Sequence, residues 1–350
     1  MMFDSDEDFV ARWRDRALDV NDGAIYIGPS FEYPRDISKI DRAMRAIANA
    51  RWSANTDVTR PETCHKSVNS AVRAIQSCTN IDCQGIRDFY GGHKLSPYFE
   101  IWVEERTGFQ TMVITERSWN SIGMNEWFLK IRKLVKSSDF TKALYNHERG
   151  ARKNALSLTE YIDGLYGIYA RLCVVRLDLS YSRAHRDSVG PLNPSRVKED
   201  LTSFLRSAKS EFPALVGYIW KMEYGQSKSY HIHFMAFFDG HKVCKDVVVG
   251  NVLGDLWRDF VTGGDGGYWN CNAKKTYYER IYGVGVGMIA HDNIERRASL
   301  LRAAMYLAKV DYYVRLNEKG VGRIFGKGQL PERRANKVGR KRKAGPCDGF

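Results

Sequence analysis

The 350-residue sequence predicts an α+β fold in which an antiparallel sheet is layered with helices and preceded by a mostly helical region. Three observations carry that expectation. Apolar periodicity changes from helical to alternating near Leu172, two strand-like runs are separated only by a short polar loop, and helical segments are interleaved with the strand runs.

Across residues 36–162 apolar side chains recur three and four apart, as in Ile40, Met44, Ile47 and in Val68, Val72, Ile75. Two interruptions, residues 99–103 and 111–115, read as a small hairpin. No catalytic constellation falls in this half, so residues 1–165 are read as an accessory domain. Residues 173–180 then form a strand in which period 2 puts Arg176 and Asp178 on one face and Val175, Leu177 and Leu179 on the other. A helix over residues 194–211 follows. Residues 216–224 and 230–238 are strands joined by Gly225-Gln226-Ser227-Lys228-Ser229, a hairpin composition that argues against a parallel doubly wound sheet. A helix over about 242–260, a glycine-rich break at 263–267, strands at 268–270 and 281–289, and a long helix over about 293–316 complete a second domain, residues 166–318. Beyond it periodicity fails. Residues 323–343 hold nine Lys or Arg and one acid, and residues 319–350 read as a flexible basic arm.

Lys and Arg number 54 against 41 Asp and Glu, a formal charge of +13 that favours a polyanionic partner. The apolar and charged fractions, 43% and 27%, are those of a water-soluble globular protein. No run approaches the ~18 apolar residues of a membrane span. The acidic start, Asp4-Ser5-Asp6-Glu7-Asp8, is unlike a secretory leader, so a cytoplasmic protein without membrane contact is expected. Seven cysteines with no CxxC pair fit a reducing compartment better than a disulfide framework. The spacing of Cys64-His65, Cys78 and Cys83 matches no standard zinc pattern.

His231 and His233 stand two apart in a strand and so project from one face, where a divalent cation could accept a nitrogen from each. Paired strand histidines also occur as structural hydrogen-bonding residues, and the pair alone decides nothing. Glu223 adds weight, because in a bulge-free hairpin it falls opposite His231 or His233, on their face. Trp220, Met222, Ile232, Phe234 and Phe238 surround these polar residues and make them costly to bury without partners. Two imidazoles and one carboxylate leave coordination positions open, which suits Mg²⁺ or Mn²⁺ engaging a phosphate oxygen. Asp178 could approach the ion, with an ion pair to Arg176 or Lys221 as its alternative.

In the last helix the apolar stripe runs through Leu301, Met305, Ala308 and Tyr312. Arg302, Tyr306, Lys309 and Tyr313 share a flank. A phenol on that flank could reach a metal-bound phosphate. Tyr306 is the candidate nucleophile, Lys309 the cation that steadies the phenolate or phosphate, and Tyr313 the candidate second nucleophile about 10 Å away.

Glu223 followed by His231-Ile232-His233 and then Tyr306-Leu307-Ala308-Lys309 resembles the second and third motifs of the HUH endonucleases, specifically rolling-circle replication initiators. Glu223-Tyr224-Gly225, Tyr230-His231-Ile232-His233, Phe237-Phe238-Asp239-Gly240 and Gly285-Val286-Gly287-Met288-Ile289 look like the prophage YagK/YfjJ C-terminal domain family, akin to filamentous-phage replication proteins. The resemblance covers residues 158–316. It implies a five-stranded antiparallel sheet of the HUH endonuclease fold, a Mg²⁺ or Mn²⁺ ion, and nicking of one strand at an origin through a 5′-phosphotyrosine. The first motif departs from the pattern, since Val174-Val175-Arg176-Leu177-Asp178-Leu179-Ser180 stands where initiators often have an apolar run ending in threonines.

The expected partners are single-stranded or supercoiled origin DNA and, because no Walker A motif is present, a host helicase and polymerase. Residues 268–280 interleave aromatics with bases, and Trp269, Lys274, Lys275 and Arg280 are candidate DNA contacts along with Arg340, Lys341, Arg342 and Lys343 of the arm. Other readings are an HUH transposase or relaxase, or a DNA-binding regulator that keeps the fold without cleaving. Relaxases usually place the tyrosine before the histidines, and the chain order here is the reverse.

Overall fold

A computed structural model describes residues 19–21, 24–26, 32–53, 56–91, 93–115, 122–189, 192–225, 229–276, 285–309, 314–316 and 322–332. The chain forms two compact units, residues 1–153 with 309–319 and residues 154–308 with 320–350.

The first unit is mostly helical. A two-stranded ribbon, β1 (Asp19–Asn21) and β2 (Ala24–Tyr26), precedes α1 (Tyr33–Asn49), α2 (Lys66–Gln76) and α3 (Cys83–Phe89). Then come β3 (His93–Leu95), α4 (Pro97–Thr115), α5 (Ile122–Val135) and the start of α6 (Ser138–Ile168). Ile37, Ile40, Met44 and Ile47 of α1 and Val68, Val72 and Ile75 of α2 are buried, as their spacing predicts. The hairpin expected at 99–103 and 111–115 is instead part of the single helix α4. Its β-branched and aromatic residues suggest strand, but Phe99, Trp102 and Phe109 recur at helical spacing and are buried, with Trp102 and Phe109 packing against Trp127 and Phe109 also against Phe128. Tertiary burial outweighs local propensity there.

The second unit holds β4 (Arg171–Tyr181), α7 (Arg183–Val189), α8 (Pro194–Glu211), β5 (Leu215–Gly225), β6 (Ser229–Asp239) and α9 (Asp246–Asp255). A π-helical turn, Leu256–Val261, leads to β7 (Gly266–Asn270), β8 (Gly287–Ala290) and α10 (Ile294–Lys309). The sheet runs β10-β5-β6-β4, and β7 and β8 share the far edge of β4, every pairing being antiparallel. The sixth strand, β10 (Phe325–Lys327), lies in the stretch expected to be a flexible arm. Phe325 is buried there, an apolar anchor that the surrounding bases mask in a charge-based reading. The helix expected to continue to residue 316 is described as far as Lys309 and does not reach residues 314–316. Residues 314–316 form β9, which pairs with β3 in the first unit.

Alternation gives the sheet two apolar faces. Phe234 packs on Phe204 of α8, which meets Trp257 of the π-helical turn and so covers one side. On the other, Leu172, Val174, Ile219, Met235 and Phe237 form one core with Leu158, Tyr161 and Leu165 of α6 and Leu300, Ala304, Met305, Leu307 and Ala308 of α10. The buried stripe of α10 thus centres on Leu300 and Ala304, with Leu301 only half-buried.

The far edge of β4 shows how the sheet is closed. β8 pairs with residues 171–174 of that strand and β7 with residues 177–181, leaving a gap between them. Asn272, buried just beyond β7, fills it: its Oδ1 accepts from the Arg176 amide at 2.9 Å and its Nδ2 donates to the Val174 carbonyl at 2.9 Å. One side-chain amide stands in for a missing stretch of backbone ladder. Asn272→Ala is expected to strand both backbone groups and lower stability by about 2–4 kcal/mol in urea unfolding. A loss below about 1 kcal/mol would contradict this account.

Candidate metal centre

The β5–β6 hairpin sets the site. Its register shift lies between Leu215 and Gly217, far from the loop, and beyond it Glu223 pairs with His231 and Lys221 with His233. On the other side of β6, Asp178 pairs with His233 and Trp269 with Asp178, while Phe325 pairs with Lys221. Opposed residues share a face. One row therefore crosses the sheet as Phe325, Lys221, His233, Asp178 and Trp269, with Glu223 and His231 in the next row.

The face is the one covered by α6 and α10, whose core includes Met235 and Ile219, two residues along from His233 and Lys221. The polar residues occupy the end of this face nearest the hairpin loop. Glu223 Oε2 stands 3.4 Å from His233 Nε2 and 3.8 Å from His231 Nε2. The two rings are nearly perpendicular, with centroids 4.9 Å apart. One ligand atom from each of the three residues lies within 4.8 Å of the others, the only such group among the described residues.

The second nitrogen of each ring has an acceptor. His233 Nδ1 is 2.5 Å from Asp178 Oδ1, and His231 Nδ1 is 3.3 Å from the Ser229 carbonyl oxygen. With Nδ1–H donating, each neutral imidazole turns the lone pair of Nε2 toward the Glu223 carboxylate. His233 Nε2 is buried and makes no hydrogen bond. A buried acceptor left so costs about 1–3 kcal/mol, and two lone pairs facing an anion repel one another. A cation relieves both, so these residues fit a divalent metal. In such a site Asp178 would be the outer carboxylate that fixes the tautomer and rotation of His233.

Asp178 is thus engaged mainly by His233. The expected ion pair with Arg176 is long, at 3.9 Å. The signal for the contact was present in sequence parity, since Asp178 lies on the polar face of the first strand, but the partner strand could not be read from local spacing. Lys221, 1% exposed, was not expected to be buried. Glu223 and Asp178 with Arg176 and Lys221 sum to zero charge on this face, so the charge of a bound cation remains available to an anionic ligand.

The remaining candidates fall into two groups. Trp269 is exposed, with Lys274 Nζ 5.9 Å from its ring centroid, and Lys275 pairs with the buried Asp246 at 2.5 Å. The backbone of Tyr306 and Lys309 lies in α10, but their side chains are outside the described residues. Tyr313, Arg280, Arg340, Lys341, Arg342 and Lys343 lie wholly outside them. Cys64, His65, Cys78 and Cys83 hold no metal geometry: Cys64 Sγ donates to the Asp57 carbonyl and His65 caps α2.

Over residues 135–328, more than half its length, the chain matches the family model of the YagK/YfjJ C-terminal domain. No curated protein and no solved structure matches it significantly.

In a calorimetric titration with Mn²⁺, wild type is expected to bind and His233→Ala to lose binding. Asp178→Asn, which keeps an acceptor but not the charge, should weaken affinity about 10- to 100-fold. Wild-type affinity in Asp178→Asn would remove Asp178 from the centre.

Proposed function

The chain belongs to the YagK/YfjJ C-terminal domain family, and from that premise and the metal centre we propose that it is a metal-dependent endonuclease that nicks one DNA strand at a replication origin, as rolling-circle initiators do. The observation that carries the proposal is the convergence of Glu223, His231 and His233 with Nε2 of His233 buried and without a hydrogen bond. Three protein ligands leave coordination positions for a phosphate oxygen and water.

Bound Mg²⁺ or Mn²⁺ would supply Lewis-acid polarisation of the scissile phosphate. Glu223, His231 and His233 would hold that ion, and Asp178, beside His233 Nδ1, would keep His233 in the tautomer that ligates through Nε2. The Tyr306 oxygen, having given up its proton, attacks phosphorus; the bond to the 3′ oxygen breaks, and that oxygen takes a proton to leave as a free 3′ hydroxyl. The 5′ phosphate stays on the tyrosine, so the bond energy is kept for a later joining step. Lys309, one helical turn on, offsets charge on the phenolate or phosphate, and Tyr313 is the candidate second acceptor for strand transfer. Supporting this role for α10, its core residues Met305 and Leu307 flank Tyr306 and pack on the face of the sheet that bears the metal ligands.

The +13 charge favours DNA as partner. With no Walker A motif in the sequence, unwinding and extension would fall to a host helicase and polymerase. Among the described residues no helix is long and apolar enough to cross a membrane.

Incubation with single-stranded origin DNA and Mn²⁺ should give a protein–DNA adduct that survives a denaturing gel in wild type and is absent from Tyr306→Phe, His233→Ala and metal-free samples. An adduct in Tyr306→Phe would overturn the nucleophile. DNA binding with no adduct in wild type would favour a non-cleaving regulator.

A further inference from the structure

The row that carries His233 ends on a large exposed aromatic side chain. Trp269 is 40% exposed although it lies in a strand paired to the centre of the sheet. Its neighbour of the opposite parity, Tyr268, behaves as a packed residue, donating to Asp255 at 2.9 Å and meeting the Arg258 guanidinium on the side covered by α9 and the π-helical turn. The indole therefore stands on the metal-site face, next to Asp178 and two strands, about 10 Å, from His233.

Two further features suit that indole to a flat ligand. Gly267, two residues before Trp269 on the same face, pairs with Ser180. A Cβ there would meet only Ser180 Oγ, at 3.5 Å, so next to the indole on its own strand the face carries no side chain. Lys274 Nζ lies over the ring, 5.9 Å from its centroid, close enough for a cation–π contact. An exposed ring, a glycine beside it on its strand and a neighbouring ammonium match what a nucleotide offers, a base to stack and a phosphate to neutralise.

We infer that Trp269 is a base-stacking platform that holds a nucleotide neighbouring the phosphate at the metal centre, with Lys274 contacting that nucleotide's backbone. The inference rests on the reading of the centre as a DNA-processing site and assigns the part of it that holds the strand. Stacking is tolerant of sequence, because every base has a π face, so Trp269 would fix the strand's position while leaving origin choice to other contacts.

The test uses the full chain carrying Tyr306→Phe, so that binding is read without strand cleavage, and measures fluorescence anisotropy with labelled oligo(dT) and with an abasic oligonucleotide of equal length. Trp269→Ala is expected to weaken oligo(dT) binding about five- to a hundredfold. It should leave abasic binding unchanged, and Trp269→Phe should restore most of the loss. Retained Mn²⁺ binding by Trp269→Ala excludes misfolding as the cause. Equal affinity of Trp269→Ala and its parent for oligo(dT), an equal loss on both oligonucleotides, or no binding of oligo(dT) by the parent would each overturn the inference. Failure of wild type to form an adduct, with the oligo(dT) result intact, would instead overturn nicking and leave Trp269 as a strand-binding residue.

Discussion

The antiparallel register of β5 against β6 is the constraint on which the centre depends. Glu223 and His231 are opposed across the hairpin, and His233 follows on the same face. A slip of one residue in either strand would send the histidines to the side packed by Phe204 and Trp257 and would expose Ile232 and Phe234 in their place. The register is therefore held by the same apolar burial that stabilises the sheet. The ligand set is local to a hairpin, so only Asp178 and the covering helices bring distant sequence to the centre.

The apolar environment also explains why the polar residues there are grouped with residues of opposite charge. β6 is buried on both faces from Tyr230 to Phe238, and His233 sits between Asp178 on one neighbouring strand and Lys221 on the other. A charge in this layer is tolerable only when its neighbours balance it. Asp178 is held by His233, and the two acids are offset by Arg176 and Lys221. Were an ion to bind there, the carboxylate that orients the imidazole would already be in contact with it.

Much of this was legible in the sequence, and the gaps have physical causes. The helix at 194–211 and the two hairpin strands follow from the sequence to within one residue of their bounds, since each has a clean period and a polar or proline boundary. Parity alone brought Glu223 to the histidines. What failed was any feature decided by partners distant in sequence. α4 carries strand-forming residues but is surrounded by aromatic side chains. β10 is three residues inside a basic stretch, and residues 314–316 pair with β3 over two hundred positions earlier. The burial of Lys221 and the contact between Asp178 and His233 belong to the same class, because both require knowing the order of strands. The role of Asn272 was equally hidden, since its composition is that of a turn and its two acceptor and donor contacts are to β4, about a hundred residues earlier.

That asparagine has a consequence for how copies of the chain meet. By bridging the gap between β7 and β8 it lets two short strands, five and four residues long, close an edge that a single long strand would otherwise form. The opposite edge is β10, three residues long and carrying Lys327. Among the described residues, neither β10 nor the β7 and β8 pair is itself a long continuous strand on which another polypeptide could template growth. β6, apolar between Tyr230 and Phe238 except for its two histidines, is flanked on both sides by β5 and β4, and β10, β7 and β8 cover part of those strands in turn.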